Sequence, residues 1–576
     1  MKKYFLRRTY IVLCISLGVV APAVAQNVNV EEVTDLKNKQ KLKLNGGISA
    51  NATLFHSNEM VGRQAFSYQL NGNLNLSLME LMNIPLSFSL NNYGSQFTYP
   101  TLPNRLSLHP SYKWIRCHIG DVAMSFSPYT LNGHQFTGGG VELSPGKWTF
   151  AAMGGRLLRK VDYQPALPQQ PPTYERWGYG VKTRYSGSKF FLGGTFFTAK
   201  DRLREASFRA DSMGIFPKSN IAMSVEGGVS IIKNLTLSAE YAVSVLTRDT
   251  RSPKTTGAGI IDRWMQRRES THFYYAVKAA LEYTLFKNTL ALGYERISPQ
   301  YETLGAYYFN NDYENVTLSY ARPLWGDKAN IALSGGVQRD DLDQSKKEKN
   351  KRIIGTINFT YTPTERLNTS VSASTFQGYR NIKSQFDYVN ATTPYENLDT
   401  LNFRQISQNV DVNLNWIMSQ SEKRNQNLML FISYQEAADK QGTYILPGNL
   451  SRFLNSSATY GVDFTTLNMN VNVGMNVSNN YSNMKNFLTW GPTLSATVGL
   501  FEKTLHTGLS LSYNRSQEGG VPLASVYNCR WNVNYRLFKK HGLQVNTVFQ
   551  QRDLKTGGIQ RNVYSLTTSF GYFYSF

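Results

Sequence analysis

The stretch "TLNMNVNVGMNVSNN", residues 466–480, decides the fold class. Leu467, Met469, Val471, Val473, Met475 and Val477 are apolar, and Asn468, Asn470, Asn472, Asn476 and Ser478 stand between them. Asparagine is depleted in ordinary strands, so its use at every second position needs a cause. A period of two describes an extended strand with unlike faces, one suited to hydrocarbon and one to water. In a soluble sheet the apolar face would meet a core, and strands would run about 5–6 residues. A strand that crosses a bilayer needs roughly 9–11 residues. The length of this run therefore predicts a membrane-crossing strand.

The pattern recurs along the chain. In "KLKLNGGISANATLF" (41–55), Leu42, Leu44, Ile48, Ala50, Ala52 and Leu54 oppose Lys41, Lys43, Asn45, Ser49, Asn51 and Thr53. "YQLNGNLNLSLM" (68–79) and "VDVNLNW" (410–416) alternate in the same way. Connections are short at "YSGSKF" (185–190), "IIKNL" (231–235), "LFKNT" (285–289), "TPTER" (362–366), "LFEKT" (500–504) and "LFKKHG" (537–542). They are long near 157–175, 200–219, 248–268, 379–401 and 439–450. Counting back from a periplasmic C-terminus, every short turn falls on the periplasmic side, as in outer-membrane barrels. The expected fold is all-β: a transmembrane antiparallel barrel of about 24 strands, within a range of 22–26. Closure is required because lipid leaves no partner for an open edge. Strand parity fails between 111 and 147. There "HIGDVAMSFSPYTLNGHQFTGGGVEL" (118–143) either hides a miscounted strand, the preferred account, or sends part of itself into the lumen.

The N-terminus reads as an export signal. Lys2, Lys3, Arg7 and Arg8 precede an apolar stretch from Ile11 to Val20, and Ala23-Val24-Ala25 has the form of a cleavage site. The expected organisation is a signal peptide at 1–25, a short periplasmic segment at 26–40 and a barrel at 41–576. No later apolar run approaches the length of a membrane helix. The 35 Tyr and 31 Phe suit two water–lipid boundaries. A formal net charge of +22, part of it in the signal, implies anionic partners. The basic residues are scattered and form no nucleic-acid motif, so nucleic acid is not expected. Cys117 and Cys529, the two cysteines beyond the signal, do not make a disulfide framework.

The chain ends "SFGYFYSF" (569–576). Ser569, Gly571, Tyr574 and Phe576 resemble the C-terminal insertion signal of bacterial outer-membrane barrels. That resemblance implies recognition by the barrel-assembly machinery and residence in the outer membrane. The segments "YERISPQYETLGAYYFNNDYENVTLSYARPLW" (294–325) and "GDVAMSFSPYTLNG" (120–133) resemble parts of large, mostly uncharacterised outer-membrane barrels of Bacteroidota. This second resemblance implies no particular activity.

The first functional expectation is a porin-like channel for polar or anionic solutes, its lumen lined by Asn, Ser, Thr and Gln with cations such as Lys41 and Lys43. The alternative is a secretion or surface-assembly barrel whose lumen holds a periplasmic or surface partner protein. Fimbrial ushers have similar strand numbers but carry added periplasmic domains. A TonB-dependent transporter would need a long N-terminal plug, whereas about fifteen residues, Gln26 to Gln40, precede the first strand here. Catalysis is not expected; the candidates would be His118 with Asp121, and His134. The histidines lack metal-ligand spacing, so no metal or cofactor is expected. "KKEKNKR" (346–352) places Lys346, Lys347, Lys349, Lys351 and Arg352 on the outer side. A solvated hydrophilic loop is the preferred account, and phosphates of lipopolysaccharide among the outer-membrane lipids are the candidate contact beside it.

Overall fold

A computed structural model describes residues 42–576 apart from 60–63, 79–80, 93–104, 163–171, 204–213, 256–263, 308, 344–350, 376–377, 382–402, 407, 438–439, 442–443, 446–449, 483 and 557–558. The signal segment, Lys41 and Lys346, Lys347 and Lys349 therefore lie outside the described residues. Lys351 and Arg352 open the strand Lys351–Thr364.

Successive strands pair antiparallel with their chain neighbours, and the ring closes where Leu42–Ser57 meets Ile559–Ser575. The closing register runs from Gly47 beside Ser575 to Ser57 beside Ser565, and the Thr53 and Ser569 hydroxyls lie 2.9 Å apart across it. The wall has 26 strands, the upper end of the expected range. Two short segments, Arg105–Leu108 and Ser111–Tyr112, share one strand position between Met82–Asn91 and Ile115–Ser125. The parity failure between 111 and 147 is resolved here. Two wall strands, Ile115–Ser125 and Asn132–Leu143, occupy the glycine-rich segment, and the six residues between them turn inward.

Side-chain alternation sorts the two faces of the wall. Val473 and Met475 are exposed on the outside, while Asn476 and Ser478 are buried on the inside. The opening question about asparagine is answered by lateral bonding. Ser478 Oγ donates to Asn455 Oδ1 at 2.6 Å, and Asn472 Nδ2 donates to Asn470 Oδ1 at 2.5 Å. Asn528 accepts from Gln550 Nε2 at 2.8 Å in the same way. Part of the polar inner face is thus satisfied by its own neighbours. The expected run starts slightly late: Asn468 has φ 48 and belongs to the turn before Met469–Ser482, so the strand begins at Met469.

Every short connection expected on the periplasmic side lies at one end of the ring, because each joins strands in the same sense along the antiparallel order. Three of these turns, and a further one at the same end after Leu324, place an aromatic residue directly after a leucine, and Phe286, Trp325, Phe501 and Phe538 all have positive φ. Their rings are strongly exposed, Phe286 at 90%. The left-handed backbone is disfavoured for a bulky residue, and the ring it presents suits a water–lipid boundary. The opposite end carries the long connections up to Ser451. Past that point it too has tight hairpins, such as Gly519-Gly520, where both φ are positive as a two-residue β-turn requires.

Candidate functional site in the lumen

The inner wall between Ile115 and Tyr313 is unlike the inner wall elsewhere. Val122, Met124, Phe136, Met153, Leu157, Phe197 and Ala199 point inward and are buried. Ala222, Ala242, Leu246, Tyr274, Ala276 and Ile297 continue that surface. Phe150, Tyr179, Leu192, Val225 and Tyr241, at the opposite parity, are exposed on the outside. Both faces of these strands are therefore largely apolar, which for the inner face demands a covering element.

Two connections supply it. The first is Phe126–Leu131, where Pro128 favours a turn and Thr130 N donates to Ser127 O at 3.2 Å. The second runs from Ser298 to Asp312, with Tyr301 N donating to Ser298 O at 3.2 Å. They meet in a parallel bridge between Leu131 and Gly305, and Asn132 N donates to Gly305 O at 2.9 Å. A Cβ on Gly305 would lie 2.4 Å from Thr130 O, so only glycine permits this approach. Tyr301 donates to Tyr129 O at 2.7 Å and Thr303 to Thr130 O at 2.7 Å. Tyr301 stacks on Phe309 at 4.8 Å between ring centroids.

Polar side chains of the wall tie the pair down. Tyr129 donates to Glu295 Oε1 at 2.5 Å, and Ser127 donates to Glu240. Asn220 is fully buried; its Oδ1 accepts from Leu304 N at 3.1 Å, and its Nδ2 donates to Ser244 Oγ at 2.8 Å. Ser244 Oγ donates onward to Glu302 O at 2.7 Å. Lys218 Nζ and Glu302 form an ion pair at 2.6 Å. Lys182 Nζ donates to Phe126 O at 2.5 Å and lies 3.5 Å from Glu226, which Arg184 also approaches at 3.4 Å. Burial holds the Tyr301 hydroxyl above its ordinary range, so it remains a donor.

The glycine run of 138–140 acquires a purpose. A Cβ at Gly140 would meet Met124 Sδ at 2.3 Å, and one at Gly180 would meet Phe126 at 2.8 Å. The wall is cut back where the inward side chains sit. Sequence reasoning recognised the two segments separately and missed that they meet. The available signal was the apolar or small character of positions that alternation assigns to the lumen: Gly178, Gly180, Ala199, Ala222, Ala242 and Ala276.

The remaining candidates are dispersed. His118 faces the lumen side, its Nδ1 2.9 Å from His109 Nδ1 and its Nε2 3.7 Å from Glu142. Asp121 faces outward, accepting from Thr137 Oγ1 at 2.6 Å and Leu106 N at 3.0 Å. His134 stacks on Tyr307 at 4.1 Å. His118 and Asp121 are thus not brought together. Among the described residues no cluster of three metal-binding side chains occurs. At the C-terminus, Gly571 is flanked by Asn51 and Gln544, Tyr574 packs on His541 at 4.8 Å, and Phe576 N donates to Gly46 O at 3.0 Å.

The class defined by this architecture is the large, closed transmembrane β-barrel. No protein-family profile matches the chain, and no curated protein matches it. Among solved structures it is similar to the FrpB iron transporter from Neisseria meningitidis (F5-1 variant), at 10% identity and TM-score 0.37, covering 94% of this chain and 84% of that one. A mutant of the ferric enterobactin receptor from Pseudomonas aeruginosa in complex with enterobactin gives 10% identity and TM-score 0.40, over 92% of this chain and 81% of that one. The P pilus usher translocation pore gives 11% identity and TM-score 0.35, over 92% and 99%. At these values the likeness is one of general architecture and transfers no activity.

Proposed function

We propose that the chain is an outer-membrane channel for polar or anionic solutes, with its lumen narrowed by the paired loops Phe126–Leu131 and 298–312. The observation that carries this reading is the contrast between a closed wall with an apolar exterior and an inner face rich in Asn, Ser and Gln, several of them bonded to one another. A ring of this size encloses more than side chains can fill, since barrels of 16–18 strands already leave an aqueous channel. The loops are anchored by the wall's own carboxylates and amides, which supports a standing constriction over a detachable guest. The same reading includes export by the N-terminal signal with cleavage after Ala25. It also includes insertion through the Ser569, Gly571, Tyr574 and Phe576 signal, kinship with the barrels of Bacteroidota, and action without catalysis.

The test is reconstitution of the purified full chain in a planar bilayer. Stepwise conductance is expected, with a reversal potential in a salt gradient displaced toward anions. A silent bilayer together with a co-purifying periplasmic or surface protein would instead establish the secretion or assembly reading.

A further inference from the structure

At the long-loop end of the wall, on its outward side and next to the strip that Trp264 and Met265 cover, a row of side chains crosses three neighbouring strands. The register sets Arg156 beside Trp177 and Trp177 beside Lys200. Direct partners in an antiparallel pair share a face, and Tyr179, two residues from Trp177, is 54% exposed on the outside. One step closer to the rim, Arg202 stands beside Glu175. The Arg202 guanidinium lies 4.5 Å from the centre of the Trp177 ring and 3.7 Å from the Glu175 carboxylate. A recess of about 840 Å³ opens here, lined by Trp177, Tyr179, Thr198, Lys200, Arg202 and Leu203, with Ala199 and Asp201 at its floor.

The charge of this shelf is unbalanced. Among the described residues, no carboxylate pairs with Lys200 or Arg156. Glu175 offsets Arg202, and Asp121, farther along the same row, is occupied by Thr137 and the Leu106 amide. Asp201 faces the other way and is held by Arg176 at 2.7 Å. Cations on a lipid-facing wall are costly at the bilayer centre and tolerated only near the interface. Trp and Tyr rings mark that level. A surplus of cations on the outward wall near the long-loop rim, around a recess with aromatic walls, is complementary to an amphiphile with an anionic head.

We propose that this recess binds a phosphorylated glycolipid of the outer leaflet, its phosphate held by Lys200 and Arg202 with Arg156 at the margin beyond Trp177, and its apolar part against Trp177 and Tyr179. The site is separate from the lysine-rich stretch 346–352 and is made from rigid strands. It rests on the membrane-spanning reading above and not on conduction.

The test uses the full-length folded protein in detergent micelles, so a silent bilayer leaves it intact. Lipid A carrying both phosphates is titrated in parallel with its dephosphorylated form and with inorganic phosphate. The bisphosphorylated lipid is expected to bind, and the other two weakly. Arg156→Gln/Lys200→Gln/Arg202→Gln is expected to lose affinity about a hundredfold, the effect of removing three cations from contact with an anionic headgroup. Lys287→Gln/Lys539→Gln, at the other end of the ring, is expected to bind as the parent does. Heat-modifiable gel mobility reports folding, and Lys200→Gln, with about fivefold loss, serves if the triple variant does not fold. Undiminished binding by a folded variant, or equal binding of dephosphorylated lipid A, would overturn the site. Inorganic phosphate bound as tightly as the lipid would overturn the glycolipid as its occupant.

Discussion

Two arcs of one ring obey the same two-residue period and use it differently. From Gln408 to Ser575 the inner positions are mainly Asn, Ser, Thr, Gln and Gly, several bonded sideways to one another, with Phe431, Val526 and Val548 as apolar exceptions. From Ile115 to Tyr313 the inner positions are mostly Gly, Ala and large apolar residues, with a few polar ones such as Asn220, Glu240 and Glu295 that bond the two loops covering them. The period sets which side chains share a face. What that face must be made of depends on what lies against it: protein in the covered arc and, on the channel reading, water in the other. The second arc behaves as a half-barrel with a packed core, the first as a wall that faces solvent.

The contrast is broken most directly at Gly305. Gly305→Val places a Cβ within 2.4 Å of Thr130 O and should part the two loops while the wall persists. Single-channel conductance is expected to rise several-fold, with heat-modifiable mobility unchanged; an unaltered conductance would show that the loops do not limit the pore. Next comes Phe197→Ala, which empties a fully buried site in the covered arc. It should cost about 3–5 kcal/mol in reversible urea unfolding from lipid vesicles. The lipid-facing Val473→Ala, at 53% exposure, should lose far less, about 1 kcal/mol or under.

Much of the wall was legible in the sequence because alternation is a local property. The Asn run at 470–476, the aromatic turns at Phe286 and Phe538 and the closing strand at 569–576 each announce a place in the ring without reference to distant residues. The strand count fell within the expected range for that reason. The lumen was legible only as the less favoured account of 118–143, part of which does enter it at 126–131, because its contacts are not local. Leu131 and Gly305 are far apart in the chain, and Asn220 looks like any other polar strand residue until Leu304 N and Ser244 are seen around it. Alternation also misleads when both faces are apolar, since Ala222 and Ala276 then read as weak strand residues and not as a floor for a loop. The segments 120–133 and 294–325, recognised by resemblance, prove to contain the two loops that meet.

A polarity exchange sharpens the comparison. Ala276 is fully buried beneath the loops. Ala276→Asn would add volume to a packed site and an amide without a partner, a loss of about 2–3 kcal/mol by the same unfolding measurement. In the open arc an asparagine at an equivalent inward position is native and satisfied. A loss at Ala276 no larger than that of a surface substitution would mean that the loops can lift away and admit water.

The smallest effect belongs to the open arc. Ser478→Ala removes the donor to Asn455 Oδ1, a bond of 2.6 Å between side chains that are both buried. If water fills the lumen, it can replace the lost donor, and the cost should stay near 1 kcal/mol, the ordinary net value of one hydrogen bond. If that arc were as dry as the covered one, Asn455 would be orphaned and the loss would approach 3 kcal/mol, at the upper end of the cost of a buried unpaired group (about 1–3 kcal/mol). Measured beside Ala276→Asn, this one substitution therefore reports whether the inner face from Gln408 onward meets solvent, which is the physical condition that a conducting pore requires.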